Sequence, residues 1–455
     1  MSATVDYAGR VRDLQAQYAA IPPGEPVRLA KRTSNLFRTR TSDTVPRLDV
    51  TGFDGVLSVD PERRTADVLG MTTYEHLVDA LLPYGFMPLV VPELKTITLG
   101  GAVAGVGIES TSFRSGFPHE SVLEMDVLTG DGRVVTASPT NEHAELFRAF
   151  PNSYGTLGYA LRLRIDLEQV HPYVELHHHR FEDADAFADA VASAVAQRTY
   201  AGSAVDFLDG TVFGPREMYL SVGSWAQRVP AVSDYTGNRI YYRSIQAKAV
   251  DHLRVRDYLW RWDTDWFWCS RALQVQKPWV RPLVPKRFLR SDVYWKVIGF
   301  ERRHQWKARL DARLGRPAQE PVVQDVEVPV QRLPEFLEFF HREIRISPVW
   351  VCPMRARAGS PSWTLFDIDH DVTWTNVGFW SAVDLPPGQV EGFHNRRIEE
   401  KVAELGGHKS LYSTAFYPEE EFWATYNGEG YHLVKKDYDP DGRLLDLYEK
   451  TVRRR

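Results

Sequence analysis

The chain has 455 residues, of which 43% are hydrophobic and 25% are charged, a composition that excludes a disordered or fibrous protein. This length exceeds one ordinary domain. The net charge of −5 argues against nucleic acid as a partner, and two cysteines, Cys269 and Cys352, exclude a disulfide framework and a zinc site built from cysteines.

Residues 1–24 predict a short N-terminal packing helix that ends before Pro22 and Pro23. This stretch has no apolar core of signal-peptide length. Nothing in the chain approaches the roughly 18 uninterrupted apolar residues that cross a bilayer. We therefore expect a cytoplasmic location, at most peripheral at the inner face of the cell membrane.

The chain that follows indicates mixed α and β structure. Residues 56–70 and 122–138 predict two β-hairpins, and Thr72 begins a capping box before a helix. Beyond about residue 170 the pattern changes: residues 183–197 predict an Ala-rich helix, and residues 323–354 predict a strand, a helix and a second strand.

Residues 98–110, with the sequence TLGGAVAGVGIES, are unusually rich in glycine. The four glycines are Gly100, Gly101, Gly105 and Gly107. Glycine permits close backbone approach, and consecutive N–H groups at such a segment suit a diphosphate. The spacing is neither GxGxxG nor GxxxxGK[ST], so a Rossmann or P-loop site is not indicated. From these residues alone, a cofactor site and a tight structural turn are both open.

The order of the motifs resembles the FAD-binding domain of the vanillyl-alcohol oxidase and p-cresol methylhydroxylase (PCMH) superfamily. A short strand ending at Pro92 precedes the glycine-rich segment, and Ser112 to Gly116, the second hairpin and the turn Gly155 to Gly158 follow it. The resemblance implies an α+β fold.

The resemblance also implies a division of the chain. We expect a PCMH-type, two-subdomain FAD-binding fold over residues 25–170 and an α+β substrate (cap) domain with an antiparallel sheet over residues 171–455. The FAD-contacting residues implied in this way are Ser34, Pro92, Glu93, Thr98, Gly100, Gly101, Gly105, Gly107, Ser112, Gly116, Gly155 and Gly158.

The early loop that corresponds to the covalent attachment site of many superfamily members is Lys31 to Asn35. This loop contains neither His nor Cys, so we expect FAD to be bound non-covalently. His119 lies near the second loop, and two interpretations are open for it: a role at the flavin, or a hydrogen-bonded loop histidine.

Within the superfamily, residues 89–117 resemble the Δ24-sterol reductases, and residues 322–330, 347–354 and 411–436 match the same branch in the same order. Bacterial relatives of that branch include actinobacterial reductases of methylene fatty-acyl phospholipids. The resemblance implies reduction of an unactivated C=C bond in a lipid, namely a 10-methylene-stearoyl phospholipid chain reduced to a 10-methyl chain, with NADPH as electron donor.

Other functions stay open at this point. They are reduction of a Δ24-sterol or another isoprenoid alkene, an oxidase that uses O₂, and a non-catalytic lipid-binding subunit with a flavin fold. For the preferred reaction, we expect a lipid methyltransferase to supply the substrate.

Reduction of such an alkene requires a proton donor. Tyr412 and His432 lie in the C-terminal matching segment and are our candidates, although packed aromatic side chains are the alternative. We predict no metal site, because the adjacent histidines 177–179 point to opposite faces of a strand.

Seven tryptophans fall between Trp260 and Trp306, in a segment (residues 251–314) with an excess of Lys and Arg over Asp and Glu. Aromatic rings with basic side chains are typical of a lipid headgroup interface. Core packing with basic side chains that reach solvent is the other interpretation. An anionic membrane surface is therefore an expected partner, with core packing as the alternative.

Overall fold

The computed structural model describes residues 6–31, 37, 45–304, 309 and 313–454. It combines helices with antiparallel sheets, so the predicted α+β class is confirmed. Within this described part, no helix is both long and apolar enough to cross a membrane.

The strands fall into two groups along the chain. The first group is β1 (Arg28–Ala30), β2 (Arg47–Asp49), β3 (Val56–Asp60), β4 (Thr65–Leu69), β5 (Phe86–Pro88), β6 (Val122–Leu128), β7 (Val134–Ala137) and β8 (Tyr159–Gln169). The second group is β9 (Tyr173–Phe181), β10 (Thr199–Tyr200), β11 (Ser203–Ala204), β12 (Phe207–Gly214), β13 (Glu217–Ala226), β14 (Val250–Arg254), β15 (Gln319–Pro329), β16 (Val349–Met354), β17 (Trp374–Asp384) and β18 (His408–Lys409).

The helices are distributed over the whole described chain. They are α1 (Tyr7–Ala19), α2 (Tyr74–Leu81), α3 (Leu99–Gly105), α4 (Ser112–Ser115), α5 (Ala144–Ala149), α6 (Ala184–Gln197), α7 (Tyr241–Ala247), α8 (Val255–Leu259), α9 (Ser291–His304), α10 (Leu333–Glu343), α11 (Phe393–Glu404), α12 (Glu419–Thr425), α13 (Gly428–Tyr438) and α14 (Leu447–Thr451).

The first sheet has the order β3-β4-β8-β6-β7, with β5 also paired to β8, and its pairings are antiparallel. Side chains of the central strand β8 alternate between its two faces. Leu163 and Ile165 are fully buried in the apolar core. Arg162 comes directly before Leu163 in sequence and donates hydrogen bonds to Asp67 and Asp126 on the other face. One strand thus supplies both core packing and a surface ion network.

The second sheet has the order β14-β9-β13-β12-β16-β17-β15-β18 and is also antiparallel. The helices α6, α10 and α11 contribute to the same apolar cluster as one face of this sheet. In β16, Val349 and Val351 belong to that cluster, whereas Trp350 and Cys352 belong to the core on the opposite side. Strand alternation therefore directs Trp350 toward the first sheet.

The C-terminal stretch returns to the N-terminal half of the molecule. The Val27 N–H donates to the Arg443 carbonyl, and the Asp131 N–H donates to the Tyr438 carbonyl. The chain leaves the first sheet with β8 and enters the second with β9. The predicted limits of the three units stay a prediction, but residues after 410 pack on both halves.

The tryptophan-rich segment is divided between core and surface. Four of its tryptophans are buried: Trp260, Trp262, Trp266 and Trp268. Trp279 is exposed, Trp295 is half-buried, and Trp306 lies outside the described residues. Core packing therefore accounts for the first four, and a surface role is left only to the part that follows them.

Candidate functional site

Side chains from both sheets line one cavity with a volume of about 340 Å³. Most of the FAD-contacting residues inferred from the sequence meet there, together with one of the two candidate proton donors. The predicted residues that line the cavity are Pro92, Glu93, Thr98, Gly100, Gly101, Gly105, Gly107, Gly155, Gly158 and Tyr412.

The glycine-rich segment forms a short helix, α3, rather than the turn that we considered from the sequence. Thr98 caps this helix, since its hydroxyl accepts a hydrogen bond from the Gly101 N–H at 3.2 Å. The Leu99 and Gly100 N–H groups donate to the Thr72 and Gly70 carbonyls. These three N–H groups are thus already used within the protein, and the glycines shape the site mainly by their lack of a side chain.

Steric requirements at the glycines define the wall of the cavity. A Cβ on Gly100 would lie 2.8 Å from the Gly70 carbonyl oxygen, so the helix packs directly on the backbone of the first sheet. A Cβ on Gly101 would meet only the Thr98 side chain, and Gly101 is exposed to the cavity. In the later turn, Gly155 has a φ of +76°, which favours glycine. The wall is therefore smooth backbone.

Basic side chains also border the cavity. They are Arg28, Lys31, Arg47 and Lys450. Arg28 and Arg47 face each other in the register of the parallel pair β1–β2. Opposed side chains of paired strands lie on the same face, so the two arginines bring positive charge to the same part of the cavity wall. Bare backbone and paired arginines together fit the diphosphate of FAD.

Ser112 and Gly116, which the resemblance also implied, are not among the residues that line the cavity. Ser112 accepts a hydrogen bond from the Glu109 N–H, and a Cβ on Gly116 would clash with the Glu120 carboxylate. Both residues thus shape the loop behind the cavity, and their contact with FAD stays a prediction. Ser34 lies outside the described residues.

Two histidines are also placed away from the cavity. His432 is exposed on α13 and packs against Trp423, with ring centroids 4.6 Å apart. A proton donor must reach the reacting carbon, so this prediction is corrected. His119 is buried against Phe117, and among the described residues its ring nitrogens have no hydrogen-bond partner. Burial lowers the pKa of His119 to about 3. It is therefore neither of the two kinds of histidine we considered.

An aromatic wall also borders the cavity. It consists of Trp266, Phe267, Trp350 and Trp380. Phe267 stacks on Trp380 with ring centroids 4.2 Å apart. Sequence reasoning missed these residues as part of the site, although it singled out the segment that holds Trp266. This wall is apolar enough to hold a hydrocarbon chain or ring and to exclude water.

Tyr412 and Asp325 are neighbouring side chains that both line the cavity. The Tyr412 hydroxyl accepts a hydrogen bond from Trp380 Nε1 at 2.9 Å, and Asn376 Nδ2 donates to Asp325 at 3.3 Å. Burial raises the pKa of Asp325 to about 7. Burial and the neighbouring Asp325 raise the pKa of Tyr412, so the phenol stays neutral. No sequence signal pointed to Asp325, because it lies in an ordinary strand pattern.

A second cluster of acidic side chains reaches the cavity, and Glu93 is its member in the cavity lining. Arg261 lies 3.1 Å from Glu93, 3.3 Å from Glu109 and 2.8 Å from Asp209, and these four side chains are buried. Full ionisation of three carboxyl groups around one guanidinium would leave negative charge in the interior. Burial and the neighbouring Glu109 raise the pKa of Glu93 well above its usual range. Glu93 therefore presents a neutral carboxyl group to the cavity.

Two of the histidines 177–179 have ordinary hydrogen-bond partners. The side chains of His177 and His252 contact Glu175, and His178 contacts the Ser221 hydroxyl. In the part of the chain that the structure describes, no group of three or more His, Cys, Asp or Glu residues is arranged to hold a metal ion.

Comparisons with known proteins agree with this geometry. Residues 5–138 match the family model of an FAD binding domain. The chain is 26% identical over 451 residues to the Δ24-sterol reductase of Arabidopsis thaliana, an alignment that covers 90% of this chain and 77% of that protein. It is 24% identical over 415 residues to the Δ24-sterol reductase of Homo sapiens, which covers 88% of this chain and 76% of that protein.

A shorter similarity exists to a second kind of protein. Cytokinin dehydrogenase 3 of Oryza sativa is 36% identical over 104 residues, which are 23% of this chain and 20% of that protein. The resemblance inferred from the sequence motifs is thus confirmed: the chain is similar to the Δ24-sterol reductases over most of its length, and it is an FAD-dependent oxidoreductase.

Proposed function

We propose that this protein reduces an unactivated C=C bond in a lipid, and that its substrate is a 10-methylene-stearoyl phospholipid chain, which becomes a 10-methyl chain with NADPH as electron donor. The observation that carries the proposal is the Tyr412–Asp325 pair, which borders a cavity with an aromatic wall. The similarity to Δ24-sterol reductases supports reduction of a lipid double bond.

Reduction of the alkene adds one hydride and one proton, so that alkene, NADPH and a proton give the saturated chain and NADP⁺. FAD, when bound, accepts hydride from NADPH and supplies hydride to the alkene. Arg28 and Arg47 would hold its diphosphate, and the glycine wall at Gly101 leaves room for it. The described residues that line the cavity include neither His nor Cys, which supports non-covalent binding.

Tyr412 is the proposed proton donor. Its hydroxyl oxygen accepts the Trp380 N–H, so the phenolic proton is left to be donated. Asp325 in its protonated form returns a proton to Tyr412, and its pKa of about 7 places this exchange near neutral pH. The aromatic wall excludes water, which prevents loss of the proton to solvent.

Trp266, Phe267, Trp350 and Trp380 hold the lipid by apolar contact alone. Such a surface positions an alkene without recognising a polar group, so it suits an acyl chain and a sterol side chain alike. Reduction of a Δ24-sterol is therefore the second candidate, and the two relatives that carry that name favour it.

A substrate competition decides between the two candidates. The purified holoenzyme is incubated with NADPH and either a 10-methylene-stearoyl phospholipid or a Δ24-sterol, and saturated products are measured by mass spectrometry. We expect turnover of the phospholipid at least tenfold faster than that of the sterol. A faster reaction with the sterol would replace the first candidate by the second.

Two further readouts of the same preparation test the proposal as a whole. Flavin absorption bands are expected, and a colourless protein would support a non-catalytic lipid-binding subunit. Reduced flavin that air reoxidises rapidly, with no reduction by NADPH, would support an oxidase. Tyr412→Phe is expected to keep the flavin and lose turnover, whereas the matched variant Tyr84→Phe changes an exposed tyrosine and keeps both.

A further inference from the structure

The region that follows the buried tryptophans exposes large apolar side chains close together. Within ten positions, Trp279 is 69% exposed, Leu283 is 77% exposed and Phe288 is 43% exposed. Residues 277–288, here called the basic aromatic segment, contain two short 3₁₀ turns, Arg281–Leu283 and Lys286–Phe288. A cluster of exposed apolar side chains of this kind marks an interaction surface.

The charge of this region is strongly one-sided. Between Trp266 and Ser291 the chain has six Lys or Arg residues and no Asp or Glu, in a protein whose net charge is −5. Two of the six are used internally, because Arg281 pairs with Asp265 and Arg290 pairs with Glu75.

The other four cations are exposed: Arg271, Lys277, Lys286 and Arg287. Of these, Lys286 also pairs with Asp234 at 3.3 Å, and Arg271 donates to the Ser347 carbonyl. Lys277 lies 5.6 Å from the Trp279 ring, and Arg287 lies 4.9 Å from the Phe288 ring. Cations beside exposed aromatic rings are the arrangement expected of side chains that sit at lipid headgroups.

The basic aromatic segment is anchored at the cavity wall. On its N-terminal side, Trp266 and Phe267 line the cavity. On its C-terminal side, the Ser291 hydroxyl donates to Asp263, and Trp295 of α9 packs edge-on against Trp266 at 6.0 Å. The helix α9 also exposes Val297 and Phe300, which are three positions apart and share one face.

We propose that the basic aromatic segment docks on an anionic phospholipid bilayer and brings the cavity to the lipid. The exposed apolar side chains enter the interface, and the cations contact anionic headgroups. The proposal deepens the proposed function, since a phospholipid-bound acyl chain must leave a bilayer to reach the cavity. Vesicle binding is nevertheless measured without turnover.

Binding is tested by flotation of the holoenzyme with vesicles of equimolar phosphatidylglycerol and phosphatidylcholine, and with vesicles of phosphatidylcholine alone. We expect binding to the anionic vesicles that salt weakens, and little binding to the neutral ones. The double variant Lys277→Glu, Arg287→Glu is expected to lower the partition coefficient at least about 20-fold, because each basic side chain near an anionic surface contributes roughly fivefold and reversal adds repulsion.

The variant Trp279→Ser, Leu283→Ser tests the apolar contribution and is expected to lower binding about tenfold or more. Lys436→Glu and Val390→Ser are the matched controls, since both residues are exposed and lie outside the basic aromatic segment. All four variants change only exposed side chains, so flavin content and melting temperature should match those of the unmodified protein.

The outcomes separate this proposal from the proposed function. Equal binding to neutral and anionic vesicles, or equal binding of the Lys277/Arg287 variant and its control, overturns the docking proposal. The docking proposal is also overturned if light scattering shows a dimer that the same variants dissociate, and the protein binds no vesicles. Turnover of a detergent-dispersed 10-methylene-stearoyl lipid is expected to survive in every variant, and its absence in the unmodified protein would overturn the proposed function alone.

Discussion

Replacing Asp325 by Asn tests the proposed proton relay, because it removes the ionisable group and nearly preserves its shape. Asp325 sits between Asn376 and Tyr412, and a Cβ on Gly378 would lie 2.3 Å from its Oδ1 atom. The surrounding packing therefore fixes the position of the side chain. The variant should bind FAD normally, so a change in rate reports proton delivery.

The magnitude follows from the pKa of about 7. If protonated Asp325 supplies the relay, the active fraction is about 90% at pH 6 and about 1% at pH 9, a fall of nearly 100-fold. In Asp325→Asn this dependence disappears, and the rate at pH 6 falls by about 10²–10³, the usual contribution of a general acid.

The Asp325→Asn variant should lose activity but gain stability at pH 8. The folded-state pKa of Asp325 is raised above the usual value of 3.8, so its contribution to stability is complete below pH 3.8 and is lost as the pH rises to 7. Above pH 7 an ionised Asp325 costs at most about 4 kcal/mol, and the Asn variant avoids that cost. At pH 8 we therefore expect the variant to be more stable in urea and less active.

The assay is single-turnover reoxidation of the reduced holoenzyme by the lipid, followed by flavin absorption between pH 6 and pH 9. Asp371→Asn is the matched control, since that carboxylate is exposed. A variant at Asp325 that kept both the rate and the steep pH dependence of the unmodified protein would refute the relay, whatever its stability.

Two further predictions concern the predicted site residues. Gly101→Val should abolish FAD retention on gel filtration, because the new side chain projects into the cavity. The control Gly214→Ala, with nothing within 4 Å of its new Cβ, should retain FAD fully. Equal flavin content in the two variants would contradict the assigned cofactor wall. His432→Ala should turn over lipid at a rate within about twofold of that of the unmodified protein, because His432 is exposed and outside the cavity. A loss of rate above tenfold, with FAD retained, would restore His432 as a proton donor.

Local sequence order was sufficient to predict the α+β class, the FAD-binding resemblance and most of the cavity wall near α3. Glycine and capping residues act on their own backbone, so Thr98, Gly101 and Gly155 carry their structural meaning wherever the rest of the chain lies. The sequence also indicated that residues 251–314 are unusual, although it left open whether they lie in the core or at the surface.

Only the tertiary structure decided which distant residues share the cavity. Asp325 and Trp380 come from neighbouring strands of the second sheet, and Tyr412 meets them only because the C-terminal stretch folds back. It also separated Tyr412 from His432, which the sequence had treated alike. Which side chains become neighbours, and how far burial raises the pKa of Asp325, depends on packing between segments that no local pattern specifies.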